Sequence, residues 1–190
     1  MYLFFDTETT GIPRNYKAPA SDSLNWPRLV QVAWLLAGAD GSEIESAEVI
    51  IRPDGFTIPE EAARVHGITT EMAAKEGVAI KAVLDAVLTA MSKASGLFAH
   101  NIAFDEKILG AEFLRAGLGN PVESMPRRCT MLESVNYCRL PGRYGFKWPT
   151  LQELHTKLFN QPLDGAHRAL VDVRACARCY FELRRLKAVD

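Results

Sequence analysis

The sequence lacks the segments that place a chain in a membrane or send it across one. No apolar run approaches the roughly 20 residues that a membrane-spanning helix needs. The opening stretch Met1–Phe5 has no basic group and is not followed by a small-residue cleavage site, so it does not have the pattern of a secretory signal. We therefore expect a cytoplasmic protein with no membrane partner.

Cysteine and net charge are also scarce. The 190 residues include four cysteines and carry a formal net charge of −1. A chain of this length can bury a core without disulfides. Cys176 and Cys179 lie too far from Cys129 and Cys138 to resemble a zinc module, so all four are interpreted as core residues. A nearly neutral chain does not coat nucleic acid, but an enzyme that holds one strand end needs few phosphate contacts.

The sequence does contain strand and helix patterns that fit one α/β domain over residues 1–190. The Asp40-Gly41 pair predicts a hairpin, so the first three strands are expected to form an antiparallel meander. The predicted strands are Tyr2–Asp6, Leu29–Ala37, Glu43–Arg52, Gly96–His100 and Arg128–Leu132. The predicted helices are 58–67, 80–91, 101–115, 150–159 and 169–187.

Two acidic residues stand at the end of the first strand. Asp6 and Glu8 are two positions apart, so the alternation of a strand places both side chains on one face. Neighbouring carboxylates repel each other and resist desolvation unless a cation compensates them. The pair by itself is equally compatible with a metal site and with solvated acids at a strand end.

Three further residues extend this pair. Asp105 lies near the start of the helix after the fourth strand, where the helix dipole alone favours an acid and where α/β folds also place site residues. Asp172 lies in the last helix, and His167 precedes it. If both were on a regular helix they would be about 500° of rotation apart and point roughly 140° away from each other. For the two to cooperate, His167 must lie in the loop near Gly165.

The donor set indicates which ions would bind. Carboxylate oxygens without thiolate ligands suit Mg²⁺ or Mn²⁺ better than zinc. Two such ions about 3.5–4 Å apart can activate a water and stabilise the leaving oxygen in phosphodiester cleavage. The imidazole of His167, with an ordinary pKa near 6.5, is suited to accept a proton from that water.

These residues, taken in order, resemble the motifs of the DEDDh exonucleases, a family that includes the proofreading subunit of the bacterial replicative polymerase, ribonuclease T and oligoribonuclease. The three motifs are Phe5–Gly11, His100–Asp105 and His167–Asp172. The segment Val65–Thr69 is similar to a structural signature of the polymerase-proofreading branch. The resemblance runs from about Tyr2 to Leu183.

The resemblance implies a ribonuclease H-like fold, with a mixed five-stranded sheet flanked by helices. It implies stepwise hydrolysis from a 3′ end of DNA or RNA with two divalent ions, Mg²⁺ or Mn²⁺, and release of nucleoside 5′-monophosphates. Asp6, Glu8 and Asp172 would bind the ion that activates water, Asp6 and Asp105 the second ion, and His167 would be the general base. The residues that would contact the terminal nucleotide are Thr7, Thr9, His100, Asn101 and Phe104.

Several alternatives stay open at this point. The long loop from Pro13 to Pro27 either lies over the substrate or is a plain connection. The aromatic and basic stretch Arg143–Trp148 either stacks on a base or anchors Phe146 and Trp148 in the core, and we expect the second. The chain is expected to act on single-stranded 3′ ends. It is alternatively a proofreading module bound to a DNA polymerase subunit, or a phosphatase of small phosphoesters. DNA versus RNA preference and oligomeric state are not determined by these patterns.

Overall fold

Five strands form one mixed sheet in the computed structural model, which describes residues 1–165 and 168–189. The strands are β1 (Tyr2–Thr9), β2 (Leu29–Ala37), β3 (Glu43–Ile50), β4 (Gly96–Ala99) and β5 (Arg127–Cys129). Their order across the sheet is β3-β2-β1-β4-β5. The first three pair antiparallel, while β4 is parallel to both β1 and β5. The predicted fold class and the antiparallel meander are confirmed.

Helices cover both faces of this sheet. They are α1 (Glu60–His66), α2 (Thr70–Glu76), α3 (Ile80–Ser92), α4 (Ile102–Arg115), α5 (Thr130–Glu133), α6 (Val135–Cys138), α7 (Leu151–Phe159) and α8 (Ala169–Arg185), with a short 3₁₀ helix at Pro121–Ser124. Within the described ranges 1–165 and 168–189, no helix is long and apolar enough to cross a membrane.

The alternation of side chains along β1 separates two cores. Leu3 and Phe5 face the layer that contains α3 and α4. Phe4 faces the opposite layer, where its ring lies 5.7 Å from that of Tyr180 on α8. Strand β2 is buried along its whole length because it lies inside the sheet with packed helices on both faces. Because β1 continues beyond Phe5, the side chains of its later residues also point alternately to these two layers.

The β2–β3 hairpin lies where the Asp40-Gly41 pair predicts it. The N–H of Gly41 donates to the carbonyl of Gly38 at 3.1 Å, and Gly41 has a φ of 88°. The two glycines therefore close a four-residue turn whose last residue is left-handed, a conformation that favours glycine. The Asp40 side chain accepts from the N–H of Ser42 at 3.1 Å and fixes the turn.

Some local expectations are wrong. The fifth strand ends at Cys129, and Thr130–Glu133 is helical rather than extended. Helix α2 was not predicted, although Thr69 caps it by accepting from the N–H of Met72 at 3.2 Å. Strand β1 extends to Thr9, beyond the predicted end at Asp6. These differences concern short elements, in which tertiary contacts outweigh local sequence preference.

The aromatic stretch before α7 is not in the core. Strands β6 (Pro141–Gly142) and β7 (Gly145–Phe146) form a separate two-stranded hairpin. Phe146 is 51% exposed and Trp148 is 64% exposed, so the expectation that they anchor the next helix is wrong. Helix α7 is instead begun by a capping box, in which Thr150 and Glu153 each accept from the other's N–H.

The four cysteines are buried and free, as the sequence predicts. Cys176 and Cys179 lie on the inner face of α8. Burial raises the pKa of the Cys176 thiol well above its ordinary value, and it raises that of Cys179 to about 12. Both are therefore neutral core groups rather than thiolates near neutral pH.

Candidate active site

Three carboxylates converge where β1 meets the first turn of α8. Asp6 and Glu8 follow Phe4 on the face of β1 that is directed at α8, and Asp172 is in the first turn of that helix. One carboxylate oxygen from each of the three lies within 4.8 Å of the other two. All three side chains are partly buried. The structure thus brings together residues from near the two ends of the chain.

The fourth acid approaches β1 from the other face. Asp105 lies in the first turn of α4 and is 3% exposed. Its Oδ1 accepts from the Thr7 hydroxyl at 2.7 Å and from the Thr7 N–H at 3.1 Å. Because Thr7 points to the α4 side while its neighbours point to the α8 side, β1 runs between the acids of the two helices.

The electrostatics of the cluster are those of carboxylates held together. Burial raises the pKa of Asp6, and the charges of Asp105, Glu8 and Asp172 raise it further. Burial and then the charges of Asp172 and Asp105 raise the pKa of Glu8 to about 7. Burial likewise raises the pKa of Asp105 to about 7, against the lowering effect of the Thr7 hydrogen bonds. Ionising all of these carboxyl groups together therefore costs free energy unless a cation binds among them.

This arrangement fits a divalent metal ion. Closely spaced carboxylate oxygens are the donors that Mg²⁺ and Mn²⁺ prefer. A bound cation would reverse the repulsion that raises these pKa values, since the negative form is then the one stabilised. Asp6 is central to the set, because the charges of all three other acids act on it.

A pocket of about 330 Å³ opens beside the acids. Its lining residues are Asp6, His100, Thr150, Leu151, Gln152, Leu163 and Asp172. Four of these, namely Thr150, Leu151, Gln152 and Leu163, were not among the candidates. Their sequence context gives no signal of a site, because they reach it only through the packing of α7 and its flanking segments.

His100 connects β4 to the rim of this pocket. Its Nε2 lies 3.0 Å from the Pro149 carbonyl, and its Nδ1 lies 3.0 Å from the Thr130 hydroxyl. Burial lowers the pKa of His100 to about 4, so the ring is neutral near pH 7. Since a carbonyl only accepts, Nε2 donates to Pro149 and Nδ1 accepts from Thr130. His100 thereby fixes the position of the segment that enters α7.

Asn101 and Phe104 lie at the start of α4. Asn101 is at the N-cap position of α4 with φ 75° and makes no capping hydrogen bond with its side chain. Left-handed backbone in a non-glycine residue is uncommon and tends to occur at functional sites. Phe104 is partly buried, and its ring centroid lies 6.5 Å from that of Tyr16 and 6.4 Å from that of Trp26.

These two aromatic contacts place the loop 13–27 beside Phe104. Trp26 is 3% exposed and donates from Nε1 to the Pro19 carbonyl, while Tyr16 is 57% exposed. Arg115 donates to the carbonyls of Ser23 and Trp26 at 2.7 and 2.6 Å. The loop is therefore a folded part of the surface around Phe104, and not a loose connection.

The structure does not test the predicted general base. His167 lies outside the described residues, so its position relative to Asp172 stays a prediction. The described neighbours of that segment are Gly165, with φ 77°, and Arg168, the N-cap residue of α8.

A protein-family model matches most of the chain. The sequence model of the family RNase_T, described as an exonuclease, matches residues 3–180, which is nearly the whole chain. The matched segment includes all four acids and all residues assigned to the nucleotide. Among curated proteins, none matches the chain.

Solved structures of exonuclease I share the fold. The enzyme from E. coli in complex with a dA16 oligonucleotide is 21% identical with a TM-score of 0.76, over 97% of this chain and 40% of that one. The zinc-bound E. coli complex with single-stranded DNA is 22% identical with a TM-score of 0.76, over 98% and 40%. The enzyme from Methylocaldum szegediense is 22% identical with a TM-score of 0.76, over 97% and 40%. The chain thus spans about 40% of the length of these proteins. These matches do not support a polymerase partner, and the proofreading branch stays a prediction.

Proposed function

Because the chain belongs to the RNase_T exonuclease family, we propose that it is a metal-dependent 3′→5′ exonuclease that shortens single-stranded ends of DNA or RNA and releases nucleoside 5′-monophosphates. The observation that carries the proposal is the convergence of Asp6, Glu8 and Asp172 within 4.8 Å. Residues 1–190 are taken as one exonuclease domain.

In this proposal the four acids divide between two divalent ions. Asp6, Glu8 and Asp172 would hold one ion, and Asp6 and Asp105 would hold the other. The charges of the three other acids that act on Asp6 support this part for it. Ions bound there would supply activation of the attacking water and stabilisation of the leaving oxygen. The all-carboxylate donor set supports Mg²⁺ or Mn²⁺ as the ions.

The reaction is hydrolysis of the last phosphodiester. The water oxygen bonds to phosphorus, the bond between phosphorus and the 3′ oxygen of the preceding nucleotide breaks, and that oxygen takes up a proton. His167 is assigned the proton of the attacking water, the role of a general base. Thr7, Thr9, His100, Asn101 and Phe104 are assigned to the terminal nucleotide, with Phe104 supplying the aromatic face.

Single-stranded nucleic acid is the proposed substrate. E. coli exonuclease I, with which the chain shares its fold, has been solved with dA16 and dT13 oligonucleotides. Near neutrality of the chain agrees with an enzyme that holds one strand end, because strong nonspecific binding needs many cationic contacts.

The test is digestion of oligonucleotides labelled at the 5′ end. With Mg²⁺ or Mn²⁺, a ladder that shortens step by step and the appearance of nucleoside 5′-monophosphates are expected, and EDTA should stop both. DNA, RNA and very short RNA should be digested side by side to rank the substrates. Hydrolysis of nitrophenyl phosphate without any shortening of oligonucleotides would replace this proposal with the phosphatase alternative.

A further inference from the structure

A patch of exposed aromatic side chains lies outside the acidic cluster. It is formed by residues 141–148, referred to below as the aromatic hairpin. Tyr144 is 89% exposed, Trp148 64% and Phe146 51%. Large aromatic groups left in water within a few residues of one another usually mark a binding surface.

The aromatic hairpin has a defined backbone. Gly142 pairs with Gly145 and Pro141 with Phe146, so Arg143 and Tyr144 form a two-residue tip. The Lys147 N–H donates to the Leu140 carbonyl at 2.9 Å and closes the base. The side of the hairpin that enters α7 is fixed by Pro149, which is buried and accepts from His100.

The base of the hairpin adjoins the pocket of the candidate active site. Thr150, Leu151 and Gln152 line that pocket together with Asp6 and Asp172. Trp148 precedes Thr150 by two residues, a backbone span of at most about 7 Å. A strand whose 3′ end lies at the acids therefore has the aromatic hairpin within reach of its next nucleotides.

The charge of this segment suits a polyanion. Residues 134–152 include Arg139, Arg143 and Lys147 and contain no aspartate or glutamate. The guanidinium of Arg143 lies over the Tyr144 ring at 5.1 Å, so a positive charge and an aromatic face are presented together. Lys147 pairs with Glu153 at 2.5 Å, which holds its side chain along the hairpin base.

We propose that the aromatic hairpin binds the single-stranded segment that precedes the 3′ end, with bases stacked on Trp148 and Tyr144 and phosphates near Arg143. The inference rests on the proposed function. Aromatic stacking accepts every base because each has a π face, and nearby cations follow the phosphates. The hairpin accordingly contributes affinity for longer strands and takes no part in bond cleavage.

The tryptophans offer a direct readout of this contact. Trp26 and Trp34 are 3% and 4% exposed, so Trp148 is the tryptophan that solvent quenchers reach. Protein in EDTA is titrated with an oligothymidylate of roughly 12 nucleotides, a length within the usual range for one single-strand site. Binding should quench Trp148 emission and protect it from acrylamide, whereas a thymidine dinucleotide should do so weakly.

Substitutions separate stacking from other effects. Tyr144→Ala and Trp148→Ala should each weaken binding of the longer strand by about fivefold or more, measured by anisotropy of a labelled oligonucleotide. In digestion assays they should raise KM for that strand and leave kcat and the cleavage of a dinucleotide unchanged. Trp148→Phe should retain binding, because phenylalanine still offers an aromatic face. Ile44→Ala, which truncates a 55% exposed side chain at the start of β3, is the matched control.

The outcomes distinguish this inference from the proposed function. Quenching without cleavage by the wild-type protein would contradict the exonuclease assignment and leave the hairpin contact standing. The inference would be overturned if the wild-type protein cleaves the strand while its Trp148 emission does not change on binding, and if both alanine variants bind the strand with wild-type affinity. Loss of self-association in Trp148→Ala with unaltered oligonucleotide affinity would also overturn it and assign the surface to a protein contact.

Discussion

Glu112 and the acids around Asp6 are all carboxylates that are at least partly buried, but the charges that surround them have opposite signs. Glu112 is 1% exposed, and its Oε1 accepts from Arg28 at 2.8 Å and from Arg115 at 2.8 Å. The Leu29 N–H donates to the same oxygen at 3.1 Å. The charges that act on Asp6, in contrast, are those of Asp105, Glu8 and Asp172.

The difference separates a structural carboxylate from one that awaits a ligand. Glu112 brings its own cations and joins α4 to β2 and to the loop that ends at Pro27. Asp6 instead lies among three other acids whose charges, together with burial, raise its pKa, so a cation bound beside it would stabilise the folded protein. A change in the cluster around Asp6 should therefore lower activity and raise the stability of the metal-free protein. A change at Glu112 should lower stability and leave activity nearly unchanged.

The largest effect is expected for Asp6→Asn. This change removes the acid on which the other three charges act, so the rate of oligonucleotide hydrolysis should fall on the order of 10³-fold, equivalent to several kcal/mol of lost transition-state stabilisation. In EDTA, however, the free energy of unfolding should rise, because repulsion within the cluster is relieved. Digestion assays and urea unfolding measure the two quantities. Full activity in the Asp6→Asn variant would refute the two-ion assignment.

Glu112→Gln should instead lower the free energy of unfolding and leave catalysis nearly unchanged. Removing the charge leaves Arg28 and Arg115 without their shared partner, and breaking a buried pair typically costs about 3–5 kcal/mol. The lower end is expected, since Arg28 is 28% exposed and can reach water. Denaturant unfolding should show this loss, while kcat of the remaining folded protein stays close to wild type.

A surface pair provides the control for Glu112→Gln. Glu182 and Arg185 also form an ion pair, at 2.7 Å, but the arginine is 68% exposed. Glu182→Gln should therefore change the free energy of unfolding far less than Glu112→Gln does. If both substitutions cost the same, burial of Glu112 is not what gives its ion pair weight.

Metal binding should stabilise the wild-type protein and should stabilise the Asp6→Asn variant much less. An ion at about 100 times its Kd adds roughly 2.7 kcal/mol to the free energy of unfolding. Thermal unfolding with increasing Mn²⁺ should show a concentration-dependent rise in Tm for the wild type and a much smaller one for the variant. Equal shifts in both proteins would mean that the ion binds elsewhere.

The pH dependence in EDTA follows from the raised pKa values. The pKa values of Glu8 and Asp105 are about 7 in the folded protein, above the 4.5 and 3.8 that such groups normally have. Between these limits the folded state binds more protons than the unfolded one, so the free energy of unfolding should fall as pH rises from about 4.5 to 7. Glu8→Gln should reduce this slope. A slope of the opposite sign would contradict the repulsive cluster.

The sequence was a good guide wherever a periodic pattern determined direction. Alternation along β1 correctly put Asp6 and Glu8 on one face, and the family motifs named Asp172, whose carboxylate lies within 4.8 Å of theirs. The catalytic roles of these residues and of Asp105 stay predictions. The sequence was a poor guide where burial depends on distant partners. Nothing local indicates that Trp148 is exposed while Trp26 is packed against Phe104, because that outcome depends on which elements cover each ring.

The pairing of Glu112 is another feature that local patterns do not predict. Glu112 and Arg28 are separated by 84 residues and meet only once α4 packs on β2. A glutamate inside a helix pattern gives no sign of this, since the same residue type is common on solvated faces.

The smallest expected effect concerns the hydrogen bond from Thr7 that lowers the pKa of Asp105. The Thr7 hydroxyl donates to Asp105 at 2.7 Å and lowers the pKa of that carboxyl against the effect of burial. Thr7→Val keeps the size of the side chain and removes this donor. The pKa of Asp105 should rise, and the acidic limb of the rate–pH profile should move up by about one pH unit, since one unit corresponds to 1.36 kcal/mol and a hydrogen bond to a charged group contributes about as much.

Thr9→Val distinguishes this electrostatic role from general damage to β1. The Thr9 hydroxyl donates to the Gly11 carbonyl at 2.6 Å, and Thr9 is buried to a similar degree as Thr7. Its loss should leave the position of the acidic limb unchanged, whatever it does to the rate. If both variants lower the rate equally at every pH, the hydroxyl of Thr7 serves the shape of the strand alone. If the acidic limb shifts only in Thr7→Val and the rate recovers at higher pH, the Thr7 hydroxyl serves to keep Asp105 ionised for metal binding. A packing defect would lower the rate at every pH, because raising the pH does not restore lost packing.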